Sequence, residues 1–440
     1  MEEYGNTGPQ SAFINKVIFL FLGIASLLGW NALLTKLDFF NFFLSDINPF
    51  RSFSFLNYIL NITFQFILIY KKNLIPLKAE LIGGIVGSII FLVLVPLSAS
   101  LLGQNEMINK IITALLIVLM GFINALVSGG SFSYAGHFPL DMIVFFTVGQ
   151  GVSAILMNVL EYIVLASVHI DDVEKEYVVR AWIFFGSAIL ILLICLFFLF
   201  YSYKDEYCKY YLNKVNNKDS NSNKQEAIML SLISPDEKSG ADKEEAEIKE
   251  QVKLANDEHV EIKVDPKFSY VFKKIWYYDL LACFGYIITF ALFPSVSTDQ
   301  KIFDIGDYNP VTIITIYNVF DTLGRYIVGF MKQSSTLNSI IVLGRSILLF
   351  TLIFNHYLQH SDSASETFTS IFLMINVAIL GITNGIGATM TFGLVSNLAE
   401  DEIKKQAGGS IGFFSILGIF LGSCLAFGTG AITDTFKKDN

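Results

Sequence analysis

Apolar stretches of about 20 residues recur along most of this chain and are separated by shorter polar segments. Each stretch is long enough to cross a hydrocarbon layer roughly 30 Å thick as a helix. The stretches are apolar throughout rather than alternating in polarity, so they favour helices over the strands of a β-barrel. The pattern predicts an all-α membrane protein with about eleven transmembrane helices. We place these spans at 15–37, 52–70, 80–102, 109–134, 140–168, 178–203, 275–297, 309–331, 338–358, 367–397 and 407–433.

One long polar segment interrupts this pattern. Between 204 and 272 the composition changes to Lys, Glu, Asp, Asn and Ser, which bury too little apolar surface to fold alone. We therefore predict a disordered cytoplasmic linker over 204–272. It separates an N-terminal six-helix bundle, 1–203, from a C-terminal five-helix bundle, 273–440. Two bundles that rock about a central site are the arrangement of many membrane transporters.

The basic residues of the connecting loops predict the orientation, because cytoplasmic loops carry an excess of lysine and arginine. With the N-terminus inside, the cytoplasmic loops hold Lys71, Lys72, Lys78, Lys204, Lys209, Lys214, Lys218, Lys267, Lys273, Lys274, Lys332, Lys404 and Lys405. The opposite loops hold chiefly Arg51, Lys110, Lys175, Arg180 and Lys301. We expect a multi-pass integral protein of the plasma membrane, with a cytoplasmic N-terminus and an extracellular C-terminus.

Composition supports the membrane prediction, since 53% of the residues are hydrophobic and only 16% are charged, against roughly 25% charged in soluble domains. The net charge of −9 resides mainly in loops, and no basic stripe indicates nucleic-acid binding. The four cysteines and five histidines form no convincing ligand set, so no metal or other cofactor is expected. An enzyme is not expected either, because the chain lacks a P-loop, an HExxH motif and a GxSxG elbow.

Polar residues at membrane depth are the most informative feature, because a charge in lipid costs several kcal/mol unless it meets a partner or a cavity. Asn318, Asp321 and Arg325 share one face of the predicted helix 309–331. Asp321 and Arg325 are four residues apart and can form an ion pair. The pair is either a link between two helices or part of a wet cavity. In the second case its acceptors and donors would bind the hydroxyls of an uncharged polar solute.

Two further groups of polar residues are candidates for the same cavity. Asn57, Asn61 and Gln65 lie four residues apart in the second span, where their amides either bond to other helices or line a cavity. Trp30 and Asn31 lie side by side in the first span. A tryptophan often anchors a helix at the membrane interface, but next to a buried asparagine an indole also suits a cavity wall that stacks on a flat heterocycle.

Several motifs recur here in the order and spacing of one known family. They are GWN at 29–31, GQG at 149–151, LFPSV at 292–296, NVFDTLGR at 318–325, Arg345 in the ninth span and ITNGIGATMTFG at 382–393. Through these motifs the chain resembles the equilibrative nucleoside transporter family. The resemblance covers essentially all predicted helices and excludes the linker, and the segment with Asn318, Asp321 and Arg325 is its most specific part.

This resemblance implies a fold related to the major facilitator superfamily with one helix fewer, and passage of nucleosides, sometimes nucleobases, without ATP. It implies that Asp321 and Arg325 bind ribose hydroxyls, that Asn318 supports them, and that Trp30 lines the base side of the cavity. We expect helix-packing or supporting roles for Gly149, Gln150, Gly151, Gly324, Arg345 and Asn384.

One departure from the family concerns base selectivity. Gly129 stands where many relatives have a glutamine that contacts the base, and Gly29 stands where proline is common. Asn124, Ser131 or the amides of the second span are candidates to replace the lost amide, and we count Ser131 among the substrate-binding residues. The alternatives that stay open are a carrier for another neutral polar solute, a proton-coupled nucleoside symporter, and a membrane receptor without transport.

Overall fold

A computed structural model describes residues 11–44, 49–70, 74–102, 106–212, 268–306, 308–361, 364–400 and 403–438. These residues form helices and connecting turns, with no β-strand among them. The first half contains α1 (Phe13–Thr35), α2 (Leu37–Leu44), α3 (Pro49–Tyr70), α4 (Leu77–Leu102), α5 (Glu106–Ala135), α6 (Leu140–Ser167) and α7 (Val173–Ser202). The second half contains α8 (Phe268–Leu292), α9 (Ser295–Thr298), α10 (Tyr308–Ile327), α11 (Ser335–Gly344), α12 (Ile347–His360), α13 (Glu366–Leu398) and α14 (Lys404–Lys438).

The predicted all-α membrane fold is confirmed. Across the described residues, nine helical segments are long and apolar enough to cross a membrane by themselves. The two remaining predicted spans correspond to α3, whose apolar stretch is limited to Phe55–Leu68, and to α10, which carries Asp321 and Arg325. Both helices contain the polar residues singled out above. Their polar side chains lower the hydropathy of each helix, and the fold accommodates these residues by burying them against other helices.

Two predicted spans differ in detail from the structure. The span 338–358 consists of two helices, α11 and α12, with Arg345 and Ser346 in the break between them. The span 309–331 ends as an α-helix at Ile327, and a short 3₁₀ turn follows it. Breaks of this kind are not visible in hydropathy, because the residues on both sides remain apolar.

The predicted bounds of the linker, 204–272, are too wide. Residues 204–212 lie in the described part and are helical from 206 to 212, and α8 already begins at Phe268. Apolar and aromatic residues explain this extension at the first end, since Tyr207 and Cys208 are buried in the core of the first half. Residues 213–267 lie outside the described residues.

The helices pack mainly within each half of the chain. In the first half α1 packs on α5, α6 and α7, while α4 and α3 pack on α5; in the second half α8 packs on α14 and α10 packs on α13. The two halves meet where α6 packs on α10 and where α3 and α5 pack on α14. A space therefore remains between the halves at the centre of the molecule.

Glycines allow close helix contacts near this space. A Cβ atom on Gly324 of α10 would overlap the backbone carbonyl oxygen of Ile382 on α13. A Cβ atom on Gly151 of α6 would overlap the side chain of Thr322 on α10. Small residues let helix backbones approach one another inside a membrane. Glycine at these positions thus sets how close α10 lies to both neighbours, and Gly149 similarly lies against the Leu20 carbonyl of α1.

Candidate functional site: a central cavity between the two halves

A cavity lies between the two halves of the chain. Its polar lining comes from Trp30 and Asn31 on α1, Gln150 on α6, Asn318, Asp321 and Arg325 on α10, and Asn384 on α13. Much of the remaining wall is aromatic and includes Tyr58, Tyr286, Phe290 and Tyr317. Largely apolar walls with a few converging polar groups are typical of sites for small molecules.

The ion pair predicted on α10 is present in this wall. The Nε of Arg325 lies 2.7 Å from Oδ2 of Asp321, and each residue is 5% exposed. The two side chains meet because residues four apart lie on the same face of a helix. The pair lies within one helix, so it does not itself join two helices, and it presents a carboxylate and a guanidinium to the cavity.

The remaining atoms of the pair bond to helices on both sides. Asn384 of α13 donates from Nδ2 to Oδ1 of Asp321 over 2.7 Å. Arg325 donates from Nη1 to Oε1 of Gln150 over 2.9 Å and to the Thr147 carbonyl over 3.3 Å, both on α6. The charge pair is therefore oriented by an amide from each neighbouring helix, and one of these amides belongs to the other half of the chain.

Arg345 lies behind the cavity wall rather than in it. Its Nη1 donates to the Gly285 carbonyl over 3.0 Å, and its Nη2 donates to the hydroxyl of Thr289. The Thr289 hydroxyl in turn lies 2.9 Å from Oδ1 of Asn384. A chain of hydrogen bonds thus runs from Arg345 through Thr289 and Asn384 to Asp321. Arg345 therefore orients the cavity wall from behind, through Thr289 and Asn384.

The wall contributed by α1 and α3 is aromatic. Trp30 is 4% exposed, and its ring centroid lies 5.1 Å from that of Tyr58 at an interplanar angle of 65°. Asn31, its neighbour, donates from Nδ2 to the Ser153 hydroxyl over 2.6 Å. The indole therefore belongs to the cavity wall and not to an interfacial belt. Edge-to-face rings of this kind form a rigid apolar surface suited to a planar ligand.

The structure does not bring all predicted residues to the cavity wall. Asn57 lies between α3 and α5, where its Oδ1 accepts from Asn124 over 3.2 Å. Asn61, Gln65 and Ser131 are buried in the same region and are not part of the wall. Asn57 therefore links two helices. This is the first of the two interpretations that the sequence allowed, the other being a place in the cavity wall. On this side Tyr58 and Ser128 line the cavity instead.

Several wall residues were missing from the predicted site or had a different predicted role, among them Gln150 and Ser128. Gln150 was expected to support helix packing, yet its amide lies in the wall and bonds to Arg325. The sequence feature that could have indicated this role is a polar side chain between two glycines at membrane depth. Ser128 carried no signal, because a serine in an apolar span commonly bonds to its own helix, as Ser128 does to the Asn124 carbonyl.

A second cavity, the vestibule, lies next to the first at the Thr35 end of α1. The two cavities share Leu34, Thr35 and Ile314 as lining residues, so these side chains separate neighbouring spaces. The vestibule also contains the charged residues Asp38, Glu161, Arg180, Lys301 and Asp304. Beside it, the fully buried Lys36 holds Nζ 2.7 Å from Oε1 of Glu161 and 3.1 Å from Oδ2 of Asp38.

Towards the Phe13 end of α1, aromatic side chains close the central cavity. The Phe132 ring of α5 lies 5.3 Å from that of Phe146 on α6 and 5.4 Å from that of Phe392 on α13, between centroids. Phe146 and Phe392 also contact each other, at 6.4 Å. Since Phe392 belongs to the second half of the chain, this cluster bridges the two halves below the site.

The described helices form a membrane fold in two halves with a polar cavity between them. Solved structures of major facilitator superfamily transporters share this fold. The proton:xylose symporter XylE is 13% identical, with a TM-score of 0.58, and the match covers 96% of this chain and 94% of that one. The fucose:proton symporter FucP of E. coli is 13% identical with a TM-score of 0.51, over 98% and 99% of the chains.

The family model for the nucleoside transporter matches residues 114–430, and the chain therefore belongs to the nucleoside transporter family. Equilibrative nucleoside transporter 2 of Rattus norvegicus is 22% identical over 96% of this chain and 98% of its own length. Equilibrative nucleotide transporter 3 of Arabidopsis thaliana is 24% identical over 96% and 97%, respectively. The predicted family is confirmed, as is the prediction of a multi-pass membrane transporter rather than an enzyme.

Proposed function

We propose that this protein moves nucleosides across the membrane by alternating access, without ATP, and that the central cavity holds the nucleoside. One observation carries the proposal above all: the Asp321–Arg325 pair lies in the wall of a cavity that also presents Trp30. A nucleoside has the matching two ends, a sugar with hydroxyl groups and a flat aromatic base. Sites for small molecules commonly combine an apolar wall with a few polar groups that orient the ligand.

At the sugar end, the Asp321 carboxylate accepts hydrogen bonds from the ribose hydroxyls and the Arg325 guanidinium donates to their oxygens. Bonds to charged groups are stronger than bonds between neutral groups. Because the pair has no net charge, it suits an uncharged ligand. Asn318, one turn before on the same helix and also in the wall, supplies a further amide to the sugar.

At the base end, Trp30 and Tyr58 stack on the heterocycle and Asn31 borders it. The amides of Asn57, Asn61 and Gln65 and the hydroxyl of Ser131 form a buried polar layer behind this part of the wall. Gln150 and Asn384 orient the charge pair, and Arg345 acts through Asn384. Nucleobases share the flat heterocycle of nucleosides and are secondary candidates as substrates.

For transport, the two halves, 1–203 and 273–440, rock about the cavity. The predicted orientation places the N-terminus in the cytoplasm and the C-terminus outside the cell, at the plasma membrane. The Thr35 end of α1 is then extracellular, and the vestibule beside the cavity at that end is the proposed route of entry from outside. Release to the cytoplasm requires separation of Phe392 from Phe132 and Phe146, which pack together at the opposite end.

Proton coupling of the same transport is a second candidate. It is favoured by Glu161, a vestibule residue that is 2% exposed and whose Oε2 has no hydrogen-bond partner in the described part of the chain. A buried carboxylate of this kind is a common proton carrier in transporters. Lys36 opposes this role by pairing with Oε1. Uptake measured against external pH, with and without a protonophore, distinguishes coupled from uncoupled transport.

The direct test is uptake of labelled adenosine by cells that lack nucleoside transport of their own. We expect a saturable signal, and we expect Asp321→Asn to lower it by about ten- to a hundredfold at equal surface expression, because hydrogen bonds to a charged acceptor contribute about 1.5–3 kcal/mol. Asp171→Asn, at an exposed position, is the matched control and should transport normally. No saturable uptake, with the protein confirmed at the cell surface, would refute the proposed function. Saturable uptake of another neutral solute instead would favour the alternative carrier.

A further inference from the structure

The loop between α9 and α10 holds an aromatic side chain in the wall of the vestibule. Phe303 lines this cavity and is 40% exposed. Its φ angle is 48°, a left-handed backbone conformation that bulky residues rarely adopt. Residues strained in this way persist only where the surrounding structure fixes them, and they cluster at ligand sites. The fold therefore keeps this ring exposed against both its backbone preference and its tendency to be buried.

Side chains from two helices fix the backbone that carries this ring. The Phe303 N–H donates to the Ser370 hydroxyl oxygen of α13 over 3.0 Å. On α12, Gln359 accepts from the Lys301 N–H over 3.1 Å and donates to the Lys301 carbonyl over 2.9 Å. The loop is thus held by contacts with both helices, and the ring has a defined position in the vestibule wall.

The first half of the chain contributes a second aromatic surface to the same cavity. Phe42 of α2, which is 42% exposed, and Tyr177 of α7 both line the vestibule. Their rings stack with centroids 4.4 Å apart at an interplanar angle of 20°. Aromatic side chains from both halves therefore border one space. Exposed rings of this kind stack on heterocyclic bases, because every base has a flat π-face.

Two buried acceptor atoms belong to residues of the same lining. They are Oδ1 of Asp38 and Oε2 of Glu161, and within the described residues neither atom has a hydrogen-bond partner. A buried oxygen without a donor is unfavourable, and an occupant with N–H or O–H groups removes this penalty. The vestibule thus suits a ligand that is flat on one side and carries hydrogen-bond donors, as a nucleoside does.

We propose that Phe303 and the Phe42–Tyr177 stack form an outer subsite in the vestibule, which binds the base of a nucleoside before the nucleoside enters the central cavity. The vestibule lies next to that cavity and shares three lining residues with it. A nucleoside at the outer subsite is therefore one step away from the Asp321–Arg325 pair. The inference rests on the proposed function, in which nucleosides are the substrates.

Protection of an introduced cysteine tests the outer subsite in the purified protein in detergent. Asp304→Cys places a thiol beside Phe303 at an exposed position of the vestibule wall, whereas the four natural cysteines are buried or half-buried. We expect adenosine, at a concentration that saturates uptake, to slow modification of this thiol by a hydrophilic maleimide about fivefold or more, because stacking on an aromatic ring retains the base. Ribose, which has no base, should leave the rate unchanged.

Phe303→Leu in the Asp304→Cys protein removes the ring, and we expect the protection by adenosine to fall below about twofold. The matched control is Phe350→Leu, because Phe350 of α12 is 75% exposed and is not part of the vestibule wall; protection should persist. If Phe303→Leu fails to fold, Phe303→Gly tests the same point. Glycine adopts a positive φ without strain, so this variant should unfold at a temperature no lower than the parent and still lose protection.

Asp321→Asn separates the outer subsite from the central cavity. Phe303 is not part of the central wall, so adenosine should still protect the thiol in this variant. Absence of protection in the Asp304→Cys protein, unchanged protection in the Phe303 variants, or loss of protection in Asp321→Asn would each overturn the inference. Saturable uptake of adenosine without protection leaves the proposed function intact, whereas protection without uptake of any nucleoside refutes the proposed transport and supports binding at the subsite.

Discussion

Arg325 on α10 and Gln150 on α6 are joined by a hydrogen bond of 2.9 Å that crosses from one half of the chain to the other. Both side chains line the central cavity. The guanidinium that we expect to bind the sugar is therefore also a contact between the two halves. Occupation of the cavity and the relative position of α6 and α10 are thereby linked through one residue.

Replacement of Gln150 by leucine tests this link. Gln150→Leu removes the acceptor of the shorter bond and leaves Nη1 of Arg325 only the Thr147 carbonyl at 3.3 Å. Hydrogen bonds to charged groups contribute about 1.5–3 kcal/mol, so we expect kcat/KM for adenosine uptake to fall by about ten- to a hundredfold at equal surface expression. Kinetics of uptake in intact cells measure this change.

The control for this variant concerns the other bond of the same amide. Gln150 also donates to the Ser26 hydroxyl over 3.3 Å, a weaker contact between neutral groups. Ser26→Ala should lower kcat/KM by less than about threefold. If both variants were equally impaired, Gln150 would act by positioning α1 against α6 and not through Arg325.

The buried ion pair beside the vestibule allows a prediction about stability. Lys36 and Glu161 are almost completely buried and link the end of α1 to α6. Lys36→Met leaves the Glu161 carboxylate buried without its cation. We expect the free energy of unfolding to fall by about 3–5 kcal/mol. The double variant Lys36→Met/Glu161→Gln should recover most of that loss, because no fully buried charge then remains and Asp38 is partly exposed. Thermal unfolding of the purified protein in detergent would show this, and additive losses in the double variant would contradict it.

A single methyl group tests the contact between α10 and α13. In Gly324→Ala the added Cβ overlaps the Ile382 carbonyl oxygen and would lie 3.1 Å from the Ile386 nitrogen. Neither atom can move without shifting α13, so we expect the free energy of unfolding to fall by about 1–3 kcal/mol. We also expect reduced uptake, because a shift of α10 moves Asp321. Thermal unfolding and uptake of the same variant report the two effects.

Gly344 provides the matched control, because a Cβ atom there meets nothing within 4 Å. Gly344→Ala should change the free energy of unfolding by less than about 1 kcal/mol. The change should be stabilising, because alanine has a higher helix propensity than glycine. A Gly324→Ala protein as stable and active as Gly344→Ala would show that α10 and α13 adjust to the extra methyl group.

Particular residues show how far sequence reasoning reached. The spacing of Asp321 and Arg325 was sufficient to predict their ion pair, since residues four apart meet on any helix. The amide stripe of the second span was ambiguous, and the structure places Asn57, Asn61 and Gln65 behind the wall. The break at Arg345 and the burial of Lys36 were not predicted. Lys36 follows an apolar span and has the appearance of a loop residue until Glu161, 125 positions later, is known to lie beside it.

The sequence by itself determined the all-helical membrane fold, the family and the one helix face that carries opposite charges. The fold and the charged face follow from local periodicity and from the cost of exposing polar groups to lipid. The family follows from the order and spacing of motifs that resemble it, and none of the three depends on distant partners. Tertiary structure alone decided which polar side chains meet in the cavity. Gln150 and Asn384 orient the charge pair, and Ser128 rather than Ser131 reaches the wall, because helix rotation and close glycine contacts select the side chains that face inward.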